Sequence, residues 1–208
     1  MLTFDQRVEH LRQNAVNAAA RSDVIAAAVA QSVPESNTLS VLDYGCGPGH
    51  IGVRLAGHFA HVVLADVDAQ AVDQACAASS DLANTSVRWL DLTDVVPSDL
   101  HVDVVVSSLS WHHIPDLGSL LEALPQVADG GRLFVIDMDD DGGAYHADHP
   151  EYAGITGFDR DALAGLLRGH GYVNVTITDL WKGEKWVADK LVPMSLFLIQ
   201  ARIPSDID

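Results

Sequence analysis

The densest chemistry in this chain of 208 residues sits in Val41-Leu42-Asp43-Tyr44-Gly45-Cys46-Gly47-Pro48-Gly49. A short apolar run breaks into three alternating glycines, and a helical pattern follows. Glycines so spaced permit positive φ and bring bare main chain close to a ligand that side chains would hold off. A dinucleotide fingerprint, G-x-G-x-x-G, can be laid on Gly47, Gly49 and Gly52, where it would seat a pyrophosphate on a helix N-terminus. Asp43 argues against that. A carboxylate at the strand end repels a diphosphate, but it pairs with an ammonium, directly or through water. The stretch therefore favours S-adenosylmethionine, which has an amino-acid end and no phosphate.

Further acids and histidines follow at informative places. Asp66 closes the apolar run 61–65 roughly twenty residues beyond the glycines, where a carboxylate accepts from both hydroxyls of a ribose. Asp68 is better suited to capping the next helix. Asp91 directly follows the run 87–90, with Asp94 close behind. After the apolar run 101–106 comes Ser107-Ser108-Leu109-Ser110-Trp111-His112-His113. His112 and His113 are the side chains in that segment able to take a proton near neutral pH, as methylation of an alcohol or phenol requires. Residues 138–157 carry Asp139, Asp140, Asp141, Tyr145, His146, Asp148, His149 and Tyr152. That segment is long for a loop in a compact domain and so is a candidate for binding a polar substrate. No fixed helical histidine spacing is present, and no metal is assigned.

The nine-residue glycine stretch resembles the first motif of the class I S-adenosylmethionine-dependent methyltransferases, and the order of later segments extends the resemblance over residues 38–203. Ser107 to Asp116, with its His-His-x-x-Asp, is similar to the small-molecule branch that includes quinone-biosynthesis methyltransferases. The Asn-Pro-Pro-Tyr type motif of amide and adenine N-methyltransferases is absent. The resemblance implies that Asp91 and the Leu92 amide hold adenine. It places Asp43, Gly45, Cys46, Gly47, Gly49, Asp66, Val67 and Ser107 around the rest of the cofactor. It further implies a Rossmann-like three-layer α/β sandwich, its seven-stranded sheet mostly parallel, with the last strand antiparallel between the fifth and sixth.

The elements that must position these residues can be read from periodicity. Strands are expected at 39–42, 61–66, 87–92, 101–108, 132–137, 172–179 and 194–202. Helices are expected at 51–56, 69–78, 117–127 with an interruption near Pro125, and 158–167. Alanine-rich residues 7–30 read as two helices, the second capped at Ser22-Asp23, serving as scaffold or as a lid carrying Phe4. This divides the chain into a helical segment 1–37, a core 38–203 and an acidic tail 204–208. Trp181 and Trp186 fit either the substrate mouth or a hairpin.

Composition narrows the partners. Net charge is −17, from 12 Lys+Arg against 29 Asp+Glu, so no cationic surface is available for nucleic acid or anionic lipid. Two cysteines without a Cys-x-x-Cys pair indicate a reducing, cytoplasmic setting. No apolar run reaches the roughly 18 residues of a membrane span. The leading reading is methyl transfer to a small molecule, leaving S-adenosylhomocysteine. The rivals are an NAD-dependent oxidoreductase and a non-catalytic cofactor-binding subunit, and oligomeric state is open.

Overall fold

The structure is a computed structural model that describes residues 2–205 apart from Pro150 and Ala153, so the tail expected at 204–208 falls partly outside the described residues. Seven strands are present: β1 Ser40–Tyr44, β2 His61–Asp66, β3 Thr85–Trp89, β4 Val104–Ser108, β5 Arg132–Met138, β6 Val173–Val187 and β7 Lys190–Arg202. They form one sheet in the order β3-β2-β1-β4-β5-β7-β6. The first five run parallel, and β7 lies antiparallel between β5 and β6. This is the expected Rossmann-like sandwich.

Central strands buried on both faces must be apolar at consecutive positions, and β4 meets this with Val104, Val105 and Val106 all buried. One face packs Leu42, Val63, Val105 and Leu133 against the helices α4 (Leu117–Val127) and α5 (Arg160–Gly169). The other packs Val41, Leu64, Val106 and Phe134 against α1 (Phe4–Ser32), α2 (His50–Leu55) and α3 (Ala69–Ser79). Asp68 caps α3 by accepting from Gln70 N–H at 2.9 Å. Among the described residues no helix is long and apolar enough to cross a membrane.

Four elements differ from their expected form. Residues 4–32 are one helix of 29 residues, not two, because the Ser22 hydroxyl donates back to Ala18 O at 2.9 Å inside the helix instead of capping a new one. α4 runs through Pro125 without a break. The missing proline N–H leaves Leu121 O short of a donor, and the Tyr172 hydroxyl supplies one at 2.9 Å. β3 stops at Trp89, before Asp91, since Asp91 O accepts from Asp94 N–H and Val95 N–H and so opens a turn.

The 181–187 excursion is itself strand, continuous with β6 and paired with β7 from Val187 and Lys190 inward. α1 holds this hairpin. Asn14 exchanges two hydrogen bonds with the Trp186 backbone, at 2.9 and 2.8 Å, and His10 stacks on the Trp186 ring at 3.7 Å. Trp186 thus belongs to the hairpin and its helix, and Phe4 lies exposed at the far end of α1.

Candidate active site

The order of the parallel strands reverses between β1 and β4, and at such a switch point the departing loops leave a crevice beyond the strand ends. Here the glycine loop leaves β1, tied to β2 by Gly45 N–H and Cys46 N–H, which donate to Ala65 O at 2.9 and 3.0 Å. Gly45, Gly47 and Gly49 have φ of 73°, 52° and 82°, as the spacing predicts, but their surroundings differ. A methyl on Gly45 would lie 2.4 Å from the Ser110 Cβ, and one on Gly49 2.9 Å from a Leu64 methyl. One on Gly47 would meet nothing within 4 Å. Gly45 and Gly49 therefore permit packing, whereas Gly47 presents bare main chain to open space. Cys46 is buried in the core, its thiol against Gly47 O and pushed up by burial, so it serves packing.

That open space is a cavity of about 460 Å³. Tyr44, Gly45, Gly47, Asp66, Val67 and Leu90 wall one side; Leu109, Ser110, His113 and Ile114 wall the other. Asp66 accepts from Gly47 N–H at 2.8 Å and from Asp68 N–H at 3.0 Å, which fixes the carboxylate at the rim with lone pairs to spare.

Asp43, expected to pair with an ammonium directly or through water, is not on the wall of this cavity. It lies under the loop, 1% exposed, and accepts from Gly52 N–H at 2.8 Å in the first turn of α2. Burial raises its carboxyl to about 7, with the Gly52 N–H opposing and Asp66 adding to the rise. Gly52 packs against Leu64 and this carboxylate, so the third glycine of the dinucleotide pattern is spent on packing as well.

Asp91 and Leu92 are also displaced. Asp91 accepts from Thr93 N–H and Thr93 Oγ at 2.9 and 2.6 Å, and Leu92 N–H is taken by the Tyr44 hydroxyl at 3.1 Å. The early end of β3 is the cause, and it leaves Leu90 as the residue on the cavity wall. Ser107 is buried, donating to Tyr44 O at 2.7 Å and bonded to Ser110 Oγ at 2.6 Å, so it supports the wall formed by Ser110.

His112 and His113 stand in a short turn, Trp111–His113, after β4. The buried His112 ring bonds through Nδ1 to Asp137 Oδ1 at 2.7 Å, and Met138 N–H donates to the same oxygen at 2.8 Å. His113 faces the cavity. Burial, with His112 and His146 adding, holds its imidazole down at about 4, hence neutral at physiological pH. A second cavity of about 570 Å³ shares His113 and Ile114 with the first and adds His112, Leu117, Ile155 and Leu166. The 138–157 loop closes on this turn. Tyr152 Oη reaches His112 O at 3.1 Å, and its ring stacks on His146 at 3.9 Å.

The acids of that loop hold it together. Asp139 pairs with Arg160 and Ser195, Asp140 accepts from Thr156 Oγ1 at 2.6 Å, and Asp141 accepts from Gly143 N–H and Tyr145 N–H at 2.9 and 2.8 Å. Sequence reasoning missed Tyr44, Leu109, Ser110 and Asp137. Leu109 adopts φ of 54°, strained for a leucine, at the cavity wall. Asp137 offered a signal: like Asp66, it is an acid near the end of an apolar parallel strand.

Residues 10–177 match the family described as methyltransferase domain. An uncharacterized methyltransferase of Mycobacterium tuberculosis is 37% identical over 103 residues, covering 48% of this chain and 50% of that protein. The magnesium-protoporphyrin O-methyltransferase of Rhodobacter capsulatus is 27% identical over 139 residues, covering 65% and 61%. The chain spans about half the length of the first of these relatives. Among solved structures, magnesium protoporphyrin IX methyltransferase from Synechocystis, with bound S-adenosylhomocysteine, superposes with a TM-score of 0.64 at 18% identity, covering 97% of this chain and 88% of that one.

Proposed function

This chain belongs to the methyltransferase domain family, and from that premise we propose that it binds S-adenosylmethionine in the 460 Å³ cavity and methylates a small molecule held in the adjoining one. The observation that carries the reading is Gly47: unobstructed main chain in left-handed conformation beside the fixed carboxylate of Asp66. When bound, the cofactor supplies a methyl group already activated on a sulfonium. The chain's own task is then to hold, orient and deprotonate.

Asp66 takes the ribose hydroxyls, with Val67 beside it on the wall. Gly47 lets the main chain approach the amino-acid end, with Gly45 beside it on the wall. Once ionised, above its raised value of about 7, the Asp43 carboxylate acts on that end's ammonium from beneath the loop, through its field. Leu90 and Tyr44 give the adenine an apolar wall, and Asp91 stands just beyond it. On the other side His113 lines both cavities, and His112 is oriented by Asp137, so the two imidazoles meet an acceptor hydroxyl where its proton must leave. Residues 38–203 form the transferring unit and 1–37 its cover. Two free cysteines suit a reducing cytoplasm, and the acidic charge speaks against nucleic acid as a partner.

Calorimetric titration tests this directly. Saturable heat with S-adenosylhomocysteine and none with NAD is the expected result. Heat with NAD alone would return the dinucleotide reading. Donor binding without transfer of labelled methyl to any of a panel of alcohols, phenols, amines and reactive carbons would favour the non-catalytic subunit.

A further inference from the structure

Asp137 has hydrogen-bonding capacity that the fold does not fully use. It is completely buried; one carboxylate oxygen bonds His112 and Met138 N–H, and the other has no hydrogen-bond partner among the described residues. Buried carboxylates are ordinarily paired or neutralised through a metal. In the tautomer whose Nδ1–H donates to Asp137, the His112 ring keeps an Nε2 lone pair, the arrangement that orients metal-bound histidines. Two further imidazoles stand beside it. One nitrogen from each of His112, His113 and His146 lies within 4.8 Å of the others, and the buried His146 Nδ1 lacks a partner.

We propose that His112, His113 and His146 bind a divalent transition-metal ion at the junction of the two cavities. Three imidazoles and no carboxylate in the ligand set suit zinc and its neighbours rather than magnesium or calcium, and a fourth position is left for an external ligand. Zinc–nitrogen bonds of about 2.0–2.1 Å at tetrahedral angles need nitrogens about 3.3 Å apart, so nitrogens up to 4.8 Å apart must close by up to about 1.5 Å. The exposed His113 can make that shift and the loop-borne His146 can slide along the Tyr152 ring it stacks on, whereas Asp137 fixes His112. The sequence hid this set because its third member comes from the far side of β5.

The ion's role rests on the methyl-transfer reading, although the site itself does not. An acceptor hydroxyl coordinated at the open position loses its proton to solvent, and the O–H electron pair stays on the oxygen and forms the new bond to the methyl carbon. The carbon–sulfur bond of the sulfonium breaks with its pair kept on sulfur, so that S-adenosylhomocysteine leaves as a neutral thioether. With the ion in place, His112 and His113 act as ligands instead of accepting that proton themselves.

The test uses chelator-treated protein titrated with zinc chloride by calorimetry, and with cobalt chloride followed by visible absorption. One ion per chain is expected. His113→Ala and His146→Ala should each weaken binding by more than the roughly 10–100-fold that an outer partner is worth, and Asp137→Asn should fall within that range. His149→Ala, outside the cluster, should bind as wild type, and circular dichroism of every variant checks the fold. Absence of binding, binding that survives both His113→Ala and His146→Ala, or loss in His149→Ala would overturn the site. S-adenosylhomocysteine is titrated into the same proteins. Metal binding without it would sink the donor reading alone, and the reverse would sink the metal site alone.

Discussion

Asp66 has two tasks in the proposed site, because one carboxylate both ties the glycine loop down and lines the cavity assigned to the cofactor. Its bond to Gly47 N–H, 2.8 Å long, means that removing it orphans a loop donor as well as taking away the proposed ribose contact. Asp66→Ala should weaken S-adenosylhomocysteine binding by about 1.5–3 kcal/mol, the usual worth of a hydrogen bond to a charged group. An unchanged dissociation constant would remove Asp66 from the site. The glycines separate packing from binding. Gly47→Val projects into open cavity, so it should abolish binding while the circular dichroism spectrum stays native. Gly45→Ala drives a methyl to 2.4 Å from Ser110 and should lower the melting temperature with or without ligand. If both variants unfolded alike, the left-handed backbone at Gly47, strained for valine whatever the space around it, would be required by the fold itself.

Elements were legible from the sequence where periodicity alone decides them and illegible where a distant group intervenes. The apolar strands β1, β2, β4 and β5 and the Asp68 cap of α3 follow from local pattern and stand close to where they were expected. The break expected at Pro125 did not occur, because its remedy comes from Tyr172, remote in sequence. The long β6–β7 hairpin was masked by its charged and aromatic residues, which look irregular until α1 is seen to cover them. Of the residues on the cavity wall, Asp66 could be picked out from its place at a strand end. Leu92 could not, since its amide was claimed by the Tyr44 hydroxyl. Tyr172→Phe tests the helix argument: it leaves Leu121 O buried without its side-chain donor, and urea unfolding should show a loss of about 1–3 kcal/mol. A loss near zero would mean that α4 tolerates the orphan carbonyl unaided.

For the molecule as a whole, the buried Asp43 makes stability depend on pH in a direction opposite to that of a salt-bridged acid. Its carboxyl titrates at about 7 in the fold against 3.8 in the open chain, so between those values the folded state holds a proton that the unfolded state has released. Stability therefore falls as pH rises through this window, and the loss is complete above the folded value. A displacement of that size is on the order of a few kcal/mol, although relaxation around the carboxylate reduces it. Self-repulsion at a net charge of −17 also weakens the fold as the other acids ionise, so wild-type protein alone cannot isolate Asp43. Asp43→Asn can. The amide oxygen still accepts from Gly52 N–H, no charge is buried, and the rest of the charge distribution is kept. The urea midpoint of the variant should exceed that of wild type at pH 8 and converge on it toward pH 4. An equal difference at both ends would show that Asp43 stays ionised inside the protein. A buried negative charge would then lie beneath the glycine loop at all working pH values, and its pull on the ammonium of the methyl donor would be undiminished.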